Sequence, residues 1–141
     1  GDQNGIALTD GEHIEWSELA ELIRPLVKIL KGRLIISLSA CYSAAGCRMA
    51  MTDSSDLPFG LLVGSLSQVA WADAAVAYVA FYHRLFKGAS MYEAVEAMKS
   101  ASGEFGFAVF DAPTVRESWS KWVSENTEAC LQIVQDSLRD G

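Results

Sequence analysis

The chemistry in this chain, if it has any, rests on cysteine. There are three, Cys41, Cys47 and Cys130. Cys41 stands two residues past an apolar, β-branched run and opens a stretch of small residues that can begin a helix. A helix N-terminus at that point favours a thiolate and offers backbone N–H donors to a developing oxyanion. The competing reading is a buried cysteine acting as a small apolar side chain. A phosphate-wrapping Cys–Arg loop is excluded, because Cys41 and Arg48 are one residue too far apart and no His precedes the cysteine. Cys47 follows Cys41 without metal-ligand spacing, and no Cys/His cluster exists in the sequence, so we expect neither a metal nor a cofactor.

A thiol nucleophile needs a base, and the sequence holds two histidines. His13 follows Gly11-Glu12 in what reads as a solvated turn. His83 falls in Phe81-Tyr82-His83-Arg84, inside a helical pattern. Ser65 and Ser67 follow an apolar strand and can border a cleft, although turn hydroxyls of this kind commonly satisfy local backbone. Asp73, third in a helix start, serves the helix dipole. Trp119 and Trp122 share a helix face and read as core or interface.

These residues must be positioned by an alternation of two periods. Leu19, Leu22, Ile23, Leu26, Val27 and Leu30 form one apolar helical stripe, with Ser17 as N-cap, Gly32 as stop and Pro25 expected to bend the helix or delay its start. Residues 33–39 and 60–65 read as buried parallel strands. A helix from Ala72 to Lys87 closes at Gly88, and Ser90 with Glu93 forms a capping box for another that ends before Gly103. Phe105 to Phe110 is a third strand, and Pro113 opens a terminal helical region broken near Asn126. Gly5 to Asp10 reads as a short ribbon. The pattern predicts an α/β fold with a mostly parallel sheet flanked by helices, all in one domain over residues 1–141. Three strong strands are few for such a sheet, so we expect it to be incomplete on its N-terminal side.

In open sheets of this kind, functional groups gather outside the carboxyl ends of the strands, where Cys41 falls. Here the residues resemble a family. Leu38-Ser39-Ala40-Cys41-Tyr42-Ser43-Ala44-Ala45-Gly46 is similar to the nucleophile segment of caspase-like cysteine peptidases of the CHAT type. Gly1 to Gly11 resembles the segment just after that family's catalytic His-Gly pair. Gly64-Ser65-Leu66-Ser67, Asp73 and Phe81 to Gly88 resemble the strand and long helix after the nucleophile. The resemblance covers roughly residues 1 to 110. It implies a caspase-like fold and a cysteine endopeptidase in which Cys41 attacks a peptide carbonyl. It also implies that the N–H groups of Gly1 and Cys41 form the oxyanion hole. The histidine it implies would come immediately before Gly1, so this stretch alone is expected to be inactive. By the same resemblance Ser39 would help line the P1 pocket, and it carries neither the amide nor the charge that would set an acidic or basic preference.

Eighteen acids against eleven bases give a net charge of −7, which leaves no basic stripe for nucleic acid. Half the residues are apolar, which excludes disorder, yet no apolar run is long enough to span a bilayer. The odd, sparse cysteines point to a reducing, cytoplasmic setting. Partners expected are a protein or peptide substrate, and a second chain, an upstream fragment or a homodimer covering the sheet edge. The rival reading is a non-catalytic α/β interaction module or pseudo-peptidase. An anion cradle at Ser39 to Gly46 ranks below both, for want of a glycine fingerprint.

Overall fold

A computed structural model describes residues 1–52, 54 and 56–139, with side chains through residue 129. The side chain of Cys130, and the apolar positions after it, lie outside that description.

The chain is α/β. It opens with an antiparallel ribbon, β1 (Gly5–Ala7) and β2 (His13–Glu15), in the register Gly5↔Glu15 and Ala7↔His13. Helix α1 (Trp16–Leu30) follows without a break and contains Pro25. Its N-cap is Glu15 rather than Ser17, whose hydroxyl instead donates to the Glu15 carboxylate at 3.3 Å. Trp16 and Val27 are buried, with Ala20 and Ile23 between them, so the inward stripe runs along one side of the helix. Lys31 and Gly32 both take left-handed φ (49° and 74°), and the Gly32 N–H closes on the Val27 carbonyl at 3.3 Å.

The second sheet has three strands in the order β3 (Ile35–Ser37), β4 (Leu61–Ser65), β5 (Phe107–Asp111). β3 and β4 are parallel, with Ile36 opposite Leu62. β4 and β5 are antiparallel, with Val63 opposite Val109. The expected mostly parallel sheet is therefore mixed. The reason lies in the connection: one helix returns the chain to the start of the sheet, and a second reverses it again. Here α2 (Trp71–Phe86) and α3 (Met91–Ser102) both intervene, so β5 enters from the carboxyl end of β4.

α3 begins at the capping box of Ser90 and Glu93 and ends at Gly103, φ 75°. α4 (Ala112–Arg139) is capped by Asp111, whose carboxylate accepts the Thr114 N–H at 2.9 Å, and Pro113 sits in its first turn. The expected break near Asn126 does not occur. The Asn126 amide folds back on the Trp122 carbonyl at 2.8 Å, and the Thr127 hydroxyl bonds the Val123 carbonyl, so neither side chain competes for the helix amides.

β4 is the centre of the protein. Val63 joins Ala77, Phe81, Val95, Met98 and Phe107 on the α2–α3 side. Its neighbour Leu62 points the other way and joins Trp16, Met49, Phe59 and Ala112. Among the described residues no helix is long and apolar enough to cross a membrane.

Candidate active site

Cys41 lies just beyond the carboxyl end of β3, at the entry to a short 3₁₀ helix (Ser43–Ala50). Between them Tyr42 adopts a left-handed backbone, φ 54°, a conformation that residues with a Cβ rarely take. Such a residue persists only where its surroundings fix it, and here they do. The Tyr42 N–H donates to the Ser67 carbonyl at 3.1 Å and the Ser43 N–H to the Ala40 carbonyl at 3.3 Å. The buried Ser43 hydroxyl donates to the Leu38 carbonyl at 2.8 Å and accepts the Ser65 N–H at 3.1 Å. The Tyr78 hydroxyl from α2 supplies a second bond to the same Leu38 carbonyl at 2.7 Å.

The turn comes this close to β4 because Gly64 has no side chain. A Cβ there would lie 2.7 Å from the Ala44 nitrogen and 2.8 Å from the Ser43 hydroxyl. Gly1 also comes close: a Cβ on it would stand 3.3 Å from the Cys41 carbonyl oxygen. Gly1 and Cys41 are thus brought together, as are Cys41 and the loop after β4.

The Cys41 side chain is half-buried, and its thiol donates to the Val69 carbonyl at 3.6 Å. For the sulfur to attack a carbonyl, that proton must pass to a base. His13 is paired elsewhere, with Nε2 3.5 Å from an Asp2 carboxylate oxygen. The Asp2 carboxyl is itself held below the usual carboxylate range by the N–H groups of Asn4 and then Gly5. His83 lies exposed in the last turn of α2. Cys47 is half-buried in the 3₁₀ helix, and burial pushes its thiol up, away from the reactive thiolate.

Ser39 is exposed beside Cys41. Ser65 is buried, and its hydroxyl donates to the Ser67 carbonyl at 3.0 Å while accepting the Ser67 N–H at 3.2 Å. Asp73 stands in the first turn of α2. Trp71 is exposed at the same helix end, and Trp122 is exposed on α4. Among the described residues no cluster of His, Cys, Asp or Glu could hold a metal ion.

Three residues that build the site carry no distinguishing signal in the sequence: Ser43, Gly64 and Tyr78. Ser43 and Gly64 sit inside the segments quoted for the family resemblance, yet nothing local marks one as a two-way hydrogen-bond bridge and the other as a point of backbone contact. A separate cleft of about 830 Å³ runs along α1, lined by Trp16, Arg24, Lys28, Arg48, Met49 and Leu57. Cys41 does not line it. The chain matches no known protein family, no curated protein and no solved structure.

Proposed function

We propose that this chain is the carboxyl-terminal part of a caspase-like cysteine endopeptidase domain, with Cys41 as nucleophile. The observation that carries the reading is the placement of Cys41 past the carboxyl end of β3, on a left-handed turn with the Gly1 backbone against its carbonyl. In this mechanism a histidine preceding Gly1 takes the thiol proton. The sulfur then attacks the peptide carbonyl, a C–S bond forms, and backbone N–H groups of Cys41 and Gly1 hold the oxyanion. Imidazole returns the proton to the departing amine as the C–N bond breaks, and water hydrolyses the thioester. Ser39 borders the substrate, while the buried Ser65 hydroxyl holds the backbone of Ser67 in the loop that accepts the Tyr42 N–H. The setting proposed is cytoplasmic, where thiols stay reduced.

A second reading, the non-catalytic interaction module, is favoured by two observations: the Cys41 thiol is satisfied by the Val69 carbonyl, and His13 is engaged with Asp2. Hydrolysis of a fluorogenic peptide library separates the two. We expect activity from a version extended upstream through the histidine, none from residues 1–141, and loss of activity with Cys41→Ala. An extended protein that is inactive, or whose activity survives Cys41→Ala, overturns the peptidase reading.

A further inference from the structure

The cleft along α1 is separate from the turn that carries Cys41, and its charge balance differs from that of the whole chain. Among the described residues Arg24, Lys28 and Lys31 of α1 and Arg48 of the 3₁₀ helix line it, against Glu15, Glu21 and Asp56. Four bases thus meet three acids, in a chain whose acids outnumber its bases eighteen to eleven. Trp16, Val27 and Met49, all buried, join Leu57 and Pro58 in giving the cleft its apolar surface.

The positive charge gathers at one end and is not answered there. Glu21 pairs with Arg24, and Glu15 lies at the opposite end of the helix. Among the described residues Lys28, Lys31 and Arg48 form no ion pair, with Asp56 or with any other carboxylate. The Arg48 guanidinium donates instead to the Gln3 carbonyl at 2.8 Å. Lys28 and Lys31 also suit the negative end of the α1 dipole, but Arg48 comes from a different element and that account does not reach it. Arg24, Lys28 and Lys31 follow one another at helical spacing, close enough to repel. Counting 3.6 residues per turn, they occupy one flank of the buried stripe, while the exposed Leu22, Leu26 and Ile29 occupy the other. The cleft flank turns to the 3₁₀ helix and the approach to β4, so a sheet continued beyond β3 would lie past the opposite flank.

We propose that this cleft binds an acidic peptide segment of another polypeptide, with carboxylates set against Lys28, Lys31 and Arg48 and apolar side chains against Trp16 and Met49. The cleft follows α1 from Ser17 to Lys31, about 21 Å at 1.5 Å per residue. About six residues of extended chain cover that length. A single small carboxylate would answer one end and leave the apolar surface open. Charge complementarity selects the sign of the occupant: an acidic segment relieves the repulsion along α1, and a basic one adds to it. Cys41 does not line the cleft, so the proposal is independent of the peptidase reading.

The test is an NMR titration read at the indole N–H of Trp16, which lines the cleft and donates to the Asp2 carbonyl at 3.2 Å. The probe is a six-residue peptide, half leucine and valine and half glutamate, made with the glutamates first and with the glutamates last. At least one version is expected to shift the Trp16 signal and to saturate by about 1 mM, while the signals of Trp71 and Trp122 stay in place. Glutamine in place of the glutamates should weaken binding about tenfold or more. Lys28→Gln and Lys31→Gln, both at exposed positions that the fold tolerates, are each expected to weaken it about threefold. Arg33→Gln removes the same charge outside the cleft and should leave binding unchanged. Any of four results overturns the proposal: no saturating Trp16 shift by about 1 mM of either version, equal binding of the glutamine version or of free glutamate, equal weakening by Arg33→Gln, or a Trp16 signal that moves with protein concentration alone as the mass becomes dimeric.

Discussion

The Ser43 hydroxyl bridges two segments that meet only in the fold: it donates to the Leu38 carbonyl at 2.8 Å and accepts the Ser65 N–H at 3.1 Å. This bridge ties the turn carrying Cys41 to β4. Ser43→Ala leaves the buried Ser65 N–H without its acceptor. A loss of about 1–3 kcal/mol in unfolding free energy is expected, measured by urea titration.

Gly64 is the partner of that bridge, since it leaves the space the turn occupies. Gly64→Ala places a Cβ 2.7 Å from the Ala44 nitrogen, and backbone cannot yield as a flexible side chain does. Destabilisation of about 1–3 kcal/mol is expected. The tryptophan fluorescence of the urea transition reads it. A neutral Gly64→Ala would mean that the turn does not press on β4.

The capping box of α3 makes stability depend on acid pH. The Glu93 carboxylate accepts the Ser90 N–H at 2.8 Å, and that bond first, then the Ser90 hydroxyl, holds its carboxyl below the ordinary range. A lowered carboxyl favours the folded state above its unfolded value, and the advantage fades as pH falls through the folded value. Thermal melting of wild type and Glu93→Gln should therefore differ at pH 7 and converge in acid. A difference that grows in acid would contradict this.

Tyr78 works in the opposite direction. Burial pushes its phenol well above the ordinary value, and its hydroxyl donates to the Leu38 carbonyl. Stability from this group is present below the ordinary phenol value and lost as pH rises past it. Tyr78→Phe is expected to lower stability by about 1 kcal/mol at pH 7 and to flatten the alkaline decline in urea unfolding.

Local signals carry much of the fold. The helical period from Leu19 to Leu30, the box of Ser90 and Glu93, and the stop at Gly103 are local, so sequence alone reveals them. The period gives the helix but not its inward face, since Leu22 and Leu26 are exposed while Trp16 and Val27 are buried. Strand direction is not local. Residues 105–110 read equally well either way, and only the two helices before β5 decide that it runs against β4. The 3₁₀ helix after Cys41 reads from sequence merely as a helix start, because its eight residues are held by contacts with β4 rather than by periodicity. At the site, only the family resemblance implies that Cys41 meets Gly1; no local pattern brings residue 1 to residue 41. The Val69 carbonyl that receives the thiol proton lies 28 residues on, and no pattern marks it.

Cys41 is either a nucleophile held at a built turn or a satisfied structural thiol. Rates of iodoacetamide alkylation at each cysteine, resolved by peptide mass spectrometry, test this most directly. Cys41 is expected to label at least about tenfold faster than Cys47, whose thiol is pushed up by burial. A version extended upstream through the histidine should raise the Cys41 rate further. Equal, slow labelling of Cys41 and Cys47 in both versions would contradict the peptidase reading and leave the interaction module in its place.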